Sequence, residues 1–359
     1  MINLDFNLLN LYKNKNVLVT GHTGFKGSWL SIWLLNLGAN VIGYSLDPKT
    51  KYDNFVLSNL KDKIVDIRGD IRNLDKLKKV FDRYKPEIVF HLAAQPLVMH
   101  SYAKPKYTYD VNVMGAVNIL ECIRHCEETK IGIVITSDKC YRNDEWIWGY
   151  RENDALGGYD PYSCSKSCVE LLVSSYQNSF FNPQKYEKHG KLIASVRAGN
   201  VIGGGDWSEN RIIPDCIKAL QEKKNISIRS PYSVRPWQHV LEPLSGYLLV
   251  GAKFMKEGIK YSGAWNFGPE YRNIVTVLDL ANKMVDKWGG GNYVINNNKI
   301  QLHEAKLLSL DINKAKYYLK WYPRWNIDIT VEKIVEWYKN YLNKNVFDMC
   351  ENQIVEYCS

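Results

Sequence analysis

Residues 136–141, TSDKCY, put a hydroxyl, a carboxylate and an amine in consecutive positions: Ser137, Asp138 and Lys139. They follow an apolar run, IGIVI, which reads as a buried strand ending in open chain. An acid and an amine in that place are either a solvated ion pair worth little or the acid and base of a reaction. A second pair follows at Tyr162 and Lys166, a YxxxK spacing that puts both side chains on one face of a helix. A phenol titrates near pH 10, and an adjacent ammonium lowers that, making an acid or base available near neutrality. Alone, YxxxK is a common helix-surface pair. Its place, one loop downstream of TSDKCY, gives it meaning.

A third feature lies earlier. VLVTGHTGFKGSWL sets Gly21, Gly24 and Gly27 between an apolar strand and a helical pattern. Glycines there let backbone amides approach a pyrophosphate, and the helix N-terminus adds partial positive charge. The spacing is GxxGxxG rather than GxGxxG. By itself it is a glycine-rich turn; between the first strand and first helix it reads as a dinucleotide site. The acidic residue expected near the end of the second strand, for the adenosine ribose, is Asp47, with Ser45 and backbone as the alternative. YSLDPKT carries no arginine, although Lys49 is near, which favours NAD over NADP. Asp70, in RGDIRN, either accepts from the adenine amine or caps the helix over 73–84.

These groups need a frame, and the hydrophobic pattern supplies one. NVLVT (16–20), NVIGYSL (40–46), KIVDIRG (63–69), EIVFHLAA (87–94), IGIVITS (131–137) and KLIASVRAG (191–199) read as strands. Helical patterns alternate with them at 27–37, 73–84, about Tyr107 to Glu127, and from Pro161. This is an α/β chain with a parallel sheet covered on both faces. After Asn200 the rhythm breaks at GGGDWSENR. We expect a dinucleotide-binding domain over 1–199, with returning segments near 237–270 that include AWNFG as a strand. A smaller substrate-binding domain over 200–345 and a tail over 346–359 complete the chain, with TVEKIVEWYKNYL (330–342) as the final helix.

Composition narrows the partners. The net charge of +9 is spread along the chain and mixed with acids. It shows no basic run or nucleic-acid motif and suits a phosphorylated small molecule. The eight cysteines form no CxxC, and His125 beside Cys126 lacks the further ligands of a zinc site. Buried thiols and no metal are expected, with Cys350 and Cys358 in mobile terminal residues. No apolar run reaches the roughly 20 residues of a membrane span, and MINLDFNLLN has no basic leader; both point to the cytoplasm. His91 reads as a satisfied strand-end histidine, Trp237 and His239 as packing residues.

GxxGxxG, Asn112 with Gly115 in DVNVMGAVN, a hydroxyl at the end of the fifth strand and YxxxK together resemble the extended short-chain dehydrogenase/reductases, over almost the whole chain. GHTGFKGSWL, HLAAQPLV, TSDKCY, LGGYDPYSCSK, RAGNVIGGGDW and RPWQHVLEPLSGYL narrow the resemblance to the branch that dehydrates CDP-glucose, the 4,6-dehydratases. The resemblance implies a Rossmann-type doubly wound sheet and NAD as cofactor. It implies that Tyr162 takes the proton of the sugar 4-hydroxyl while hydride leaves C4, that Ser137 bonds O4, and that Lys166 holds the nicotinamide ribose. Water is then lost across C5 and C6 and the hydride returns to C6, giving CDP-4-keto-6-deoxyglucose. Asp138 matches the acid of the elimination. Lys139 stands where other 4,6-dehydratases carry Glu, and as a base it would have to be neutral.

Cofactor residues implied in the same way are Gly21, Thr23, Gly24, Phe25, Lys26 and Gly27 in the loop, Asp47, Asp70 and Ile71 beyond it, and Ala93, besides Tyr162 and Lys166. Gln95, Asn200, Arg211 and Arg235 are the implied substrate ligands, the last three for the diphosphate. A basic residue expected near Met99 is missing, with His100 as the candidate substitute. A homodimer through the helices near Tyr107 and Pro161 is also implied. Two other functions remain in view. A C4 epimerase would share the glycine loop and YxxxK without needing Asp138 and Lys139. A non-catalytic dinucleotide-binding regulator would need neither Tyr162 nor Ser137.

Overall fold

A computed structural model describes residues 6–271, 274–296 and 307–359. Six strands form where the apolar runs lie: β1 (Asn16–Thr20), β2 (Asn40–Ser45), β3 (Val65–Arg68), β4 (Ile88–His91), β5 (Ile131–Ile135) and β6 (Leu192–Ala198). A seventh, β7 (Gly263–Phe267), returns from the second half of the chain and pairs in parallel with β6. The sheet order is β7-β6-β5-β4-β1-β2-β3, parallel throughout. The order reverses between β1 and β4, which opens a crevice at the carboxyl ends of the strands, where doubly wound sheets bind ligands. β4, β5 and β6 are buried along their whole length, which is why they read as continuous apolar runs and not as alternation.

The helices over the sheet are α1 (Phe25–Asn36), α2 (Leu74–Tyr84), α3 (Gly115–His125) and α4 (Pro161–Ser179). The long helix expected over Tyr107–Glu127 is not uniform. A turn at Pro105–Tyr109 runs into a π-helical segment, Asp110–Met114, before α3 begins. The wider π turn brings Asn112 inward, where its amide bonds Gln95 and Ser165. After β6 come α5 (Ile212–Gln221), α6 (Leu241–Glu257), α7 (Val277–Trp288), α8 (Ile327–Asn340) and α9 (Val346–Cys358). The seventeen residues of α6 include thirteen buried ones, as befits a helix returning to the sheet.

Two expectations fail at the C-terminus. TVEKIVEWYKNYL falls in α8 but is not the last helix, and 346–359 is not a loose tail. Asn345 caps α9 by accepting from the Phe347 and Asp348 amides. Its apolar face docks on the cofactor half of the chain. Tyr357 meets Trp33 of α1 edge-on at 5.7 Å, and its hydroxyl donates to Glu242 Oε2 at 2.7 Å. Cys350, expected to be mobile, is fully buried, with its thiol toward Asn54. Glu242 itself is buried and accepts from the Arg324 and Trp325 amides, and burial pushes its carboxyl up to about 7. Val346, Cys350, Ile354 and Tyr357 recur on one buried face, so helical spacing is present in the sequence of the segment expected as a tail. All eight cysteines are free thiols, and no cluster among the described residues could hold a metal ion.

Candidate active site

TSDKCY leaves β5 at its carboxyl end. Ser137 is extended, and its Oγ accepts from the Lys139 amide, capping one 3-10 turn, Asp138–Cys140. That turn folds Asp138 inward. The carboxylate is 1% exposed, so the surface ion pair is excluded for the acid. Its Oδ1 accepts from Ser137 Oγ at 2.9 Å, while Oδ2 is buried without a hydrogen-bond partner. Lys139 turns the other way. Its side chain is 32% exposed and its ammonium stands 3.7 Å from Asp138 Oδ1. It is an ion-pair partner at the rim, not an amine in an apolar pocket.

α4 brings up the second pair. Asp160 caps the helix by accepting from the Ser163 amide, and Pro161 opens it. Tyr162 is buried and hydrogen-bonded to Ser137. Lys166 is buried one turn on, with Nζ donating to Ile135 O at 3.2 Å. Burial, with the Asp138 and Asp160 charges, pushes the phenol up to about 12 against the Ser137 bond and the Arg211 charge. Lys166 faces backbone, and burial lowers its own pKa to about 8. Arg211, placed in the sequence only as a phosphate ligand, is a cation that eases the phenol's ionisation. Arg211 is itself ion-paired to buried Asp206 at 2.8 Å.

The glycine loop meets this cluster from the other side. Gly21 sits at φ +76° with its α-carbon against Ala93, where a Cβ would come 2.8 Å from the Ala93 amide. At Gly27 a Cβ would lie 2.1 Å from Gly21 O, so only glycine lets α1 start this close to β1. Gly24 precedes α1 without any side-chain cap, leaving the amides of the first turn at Phe25, Lys26 and Gly27 for an outside acceptor. That is a cradle for a pyrophosphate, and these residues fit a dinucleotide. Lys26 does more than lend an amide. Its ammonium turns inward to the Tyr247 hydroxyl at 3.3 Å. Burial, then the nearby Lys166 and Arg211 charges, push it down to about 7, against a smaller opposite pull from Asp138.

The far end of the crevice corrects other readings. Asp47 is 85% exposed and pairs with Arg68 at 3.4 Å, while Ser45 turns inward to Thr23 Oγ1 at 2.8 Å. Arg68 comes from β3, not from the loop after β2, and parallel register sets it beside Ser45, a placement with no local sign in the sequence. It also binds Asp66 at 2.8 Å, so two carboxylates hold it. Asp70 does not cap α2. Asn73 does, accepting from the Lys76 amide, and Asp70 grips Arg72, which holds its carboxyl below the usual range. Ile71 is buried under Gly115, and Asn118 donates to Ile71 O at 3.0 Å.

Among the substrate candidates, Gln95 has both ends of its amide engaged, with Leu97 and Thr108, so it shapes the loop after β4. Asn200 holds φ +35° with a buried, unpartnered Oδ1. Arg235 is buried on the short strand Val234–Arg235, which pairs with Val275–Thr276. His100 packs edge-on against Tyr107 at 5.9 Å. His91 bonds Thr20 Oγ1 at 2.8 Å, and burial takes it down to about 3; His239, between Trp29 and Trp325, behaves alike. Neither histidine is poised as a catalyst.

A sheet-end crevice thus holds a dinucleotide cradle, a Ser–Tyr–Lys cluster and a buried acid. Residues 18–334 match the family model described as GDP-mannose 4,6 dehydratase. The chain belongs to that family. Among the family's relatives, CDP-glucose 4,6-dehydratase of Salmonella typhimurium is 50% identical over 351 residues, 98% of each chain. Two solved structures share the fold. One is the epimerase Mth375 of Methanothermobacter thermautotrophicus, with TM-score 0.79, 24% identity, and 94% and 96% of the two chains covered. The other is the dTDP-glucose 4,6-dehydratase of Bacillus anthracis in complex with NAD, with TM-score 0.74, 21% identity, and 94% and 99% covered.

Proposed function

We propose that this protein is an NAD-dependent CDP-glucose 4,6-dehydratase, a hydro-lyase that converts CDP-glucose to CDP-4-keto-6-deoxyglucose. The observation that carries the reaction class is the buried Asp138, bonded through Oδ1 to Ser137 and unpartnered at Oδ2, beside Tyr162. An epimerase needs the tyrosine but no buried acid. The half-identity to the Salmonella enzyme over nearly the whole chain supports the nucleotide and sugar.

Gly21, Gly24, Phe25, Lys26 and Gly27 hold the pyrophosphate of NAD. Thr23 with Ser45, Asp47, Asp70 and Ile71 flank the adenosine, and Ala93, Tyr162 and Lys166 flank the nicotinamide end. When bound, NAD supplies the hydride acceptor for C4 and the hydride returned to C6, so the redox change closes. Tyr162 accepts the proton of the 4-hydroxyl, and Ser137 bonds the same oxygen. The C4 carbonyl acidifies the C5 proton. Asp138, as the acid, gives a proton to O6; the C5–H and C6–O bonds break, C5=C6 forms, and water leaves. The proton taken from C5 returns there as hydride reaches C6, and the proton gained by Tyr162 offsets that lost by Asp138 through solvent. Lys139, whose ammonium stands 3.7 Å from Asp138 Oδ1, takes the C5 proton only after giving its own to solvent. Asn200, Arg211 and Arg235 take the diphosphate, and Gln95 shapes the sugar-side loop.

The enzyme works in the cytoplasm as a homodimer, supplying a deoxysugar nucleotide for dideoxyhexose and O-antigen synthesis. Among the described residues no helix is long and apolar enough to cross a membrane. Incubation with CDP-glucose, and in parallel with the dTDP, UDP and GDP sugars, tests the assignment by product mass. Loss of one water from CDP-glucose is expected. Loss from another nucleotide sugar alone contradicts the nucleotide, and an unchanged mass with inverted C4 favours an epimerase.

A further inference from the structure

Gly199 follows β6 and precedes Asn200, and its carbonyl accepts from Gln238 Nε2 at 3.2 Å. Glycine is usually required for one of two reasons: a left-handed backbone or a close approach. The first does not apply, because Gly199 is not among the positive-φ residues. An alanine could adopt this backbone. What forbids it is a single neighbour. A Cβ on Gly199 would lie 2.0 Å from Asp138 Oδ2, 2.6 Å from its Cγ and 3.2 Å from its Cβ, and these are the three nearest atoms. Ordinary contact between such atoms is about 3.5 Å or more. The carboxylate has little freedom to yield, being buried, with Oδ1 held by Ser137. Room for a methyl must come from rotating Asp138 off that bond.

We infer that Gly199 is a positioning residue for proton delivery, keeping open the space in which Asp138 Oδ2 stays unpartnered beside the reacting sugar. This rests on Asp138 as the acid of the elimination. Gly199 touches no substrate itself. It acts through the orientation of one carboxylate, and RAGN therefore belongs with TSDKCY as one device assembled from the ends of β5 and β6.

The test is a cycle of four proteins: wild type, Gly199→Ala, Asp138→Ala and the double variant. Two readouts are taken. The first is the thermal midpoint without substrate. Gly199→Ala lowers it by roughly 2–6 °C through overpacking, and in the Asp138→Ala background the same change costs little, because the obstructing carboxylate is gone. The second is a single turnover with CDP-glucose and NAD. Gly199→Ala and Asp138→Ala each slow water loss about 100-fold or more, the double variant is no slower than Asp138→Ala, and C4 oxidation persists as nicotinamide absorbance. An equal effect of Gly199→Ala in both backgrounds, on either readout, overturns the proposal. If Gly199→Ala fails to fold and the double variant folds, the contact is upheld; failure of both overturns it, since Gly199 would then serve the backbone. Wild-type water loss in Asp138→Ala removes the acid role, and with it the purpose of Gly199, while the midpoints still report the contact separately.

Discussion

Tyr162 is a phenol in an unfavourable place to ionise. Burial and Asp138 push its pKa up, and the Ser137 hydrogen bond and the Arg211 guanidinium oppose them. Accepting a proton from the sugar requires the ionised form, so the rate of C4 oxidation falls on the acid side of that pKa. Removing the Arg211 charge removes a stabiliser of the anion, and the acid limb of the pH–rate profile must move to higher pH. Arg211→Gln is expected to shift it up by about 1 unit, and Arg211→Lys much less. A diphosphate ligand alone would raise KM in both variants and leave the limb in place. Single-turnover oxidation at several pH values separates the two. The same residue shows what a sequence conceals. YxxxK identified Tyr162 and Lys166, but a further charge that acts on the phenol, Arg211, arrives from a loop 49 residues later.

At the scale of elements, α4 carries most of the site. Tyr162, Lys166 and Glu170 recur on one face. Glu170 anchors the helix to the sheet, accepting from Ser195 and from Arg197 at 2.7 Å and bonding Thr136 beside Ser137. The opposite face is open. Leu171 is 59% exposed and Met114, on the π turn before α3, 50% exposed. Apolar side chains exposed on neighbouring helices suit a dimer of these two helices from each protomer. Leu171→Asp is expected to give a monomer by light scattering at micromolar concentration, from a wild-type dimer; a wild-type monomer contradicts the assignment.

Elements were legible in the sequence where their signal is local. NVLVT is β1 residue for residue, and Pro161 opens α4, because apolar runs and a proline at a helix start are short-range features. Asn73 caps α2 because it directly precedes the first helical residue, whereas Asp70 lies further back and folds onto the Arg72 amide and guanidinium. Arg68 beside Ser45, the inward turn of Lys26 and the space at Gly199 all depend on register or on approach between distant segments, which spacing along one chain does not encode.

At the scale of the molecule, the crevice runs across the carboxyl ends of the parallel strands, from Ser45 and Asp70 at one side to Ser137, Tyr162 and Gly199 at the other. The second half of the chain closes on it through α6, and α9 is pinned to both through Trp33 and Glu242. One molecule must therefore oxidise a sugar, expel water and reduce the same sugar without releasing the electrons it has taken. The most direct measurement of that claim uses CDP-glucose with deuterium at C4. The expected product has lost one water and holds the deuterium at C6, carried there within one active site. Deuterium retained at C4 in an inverted sugar, or lost to solvent or to free cofactor, would contradict it.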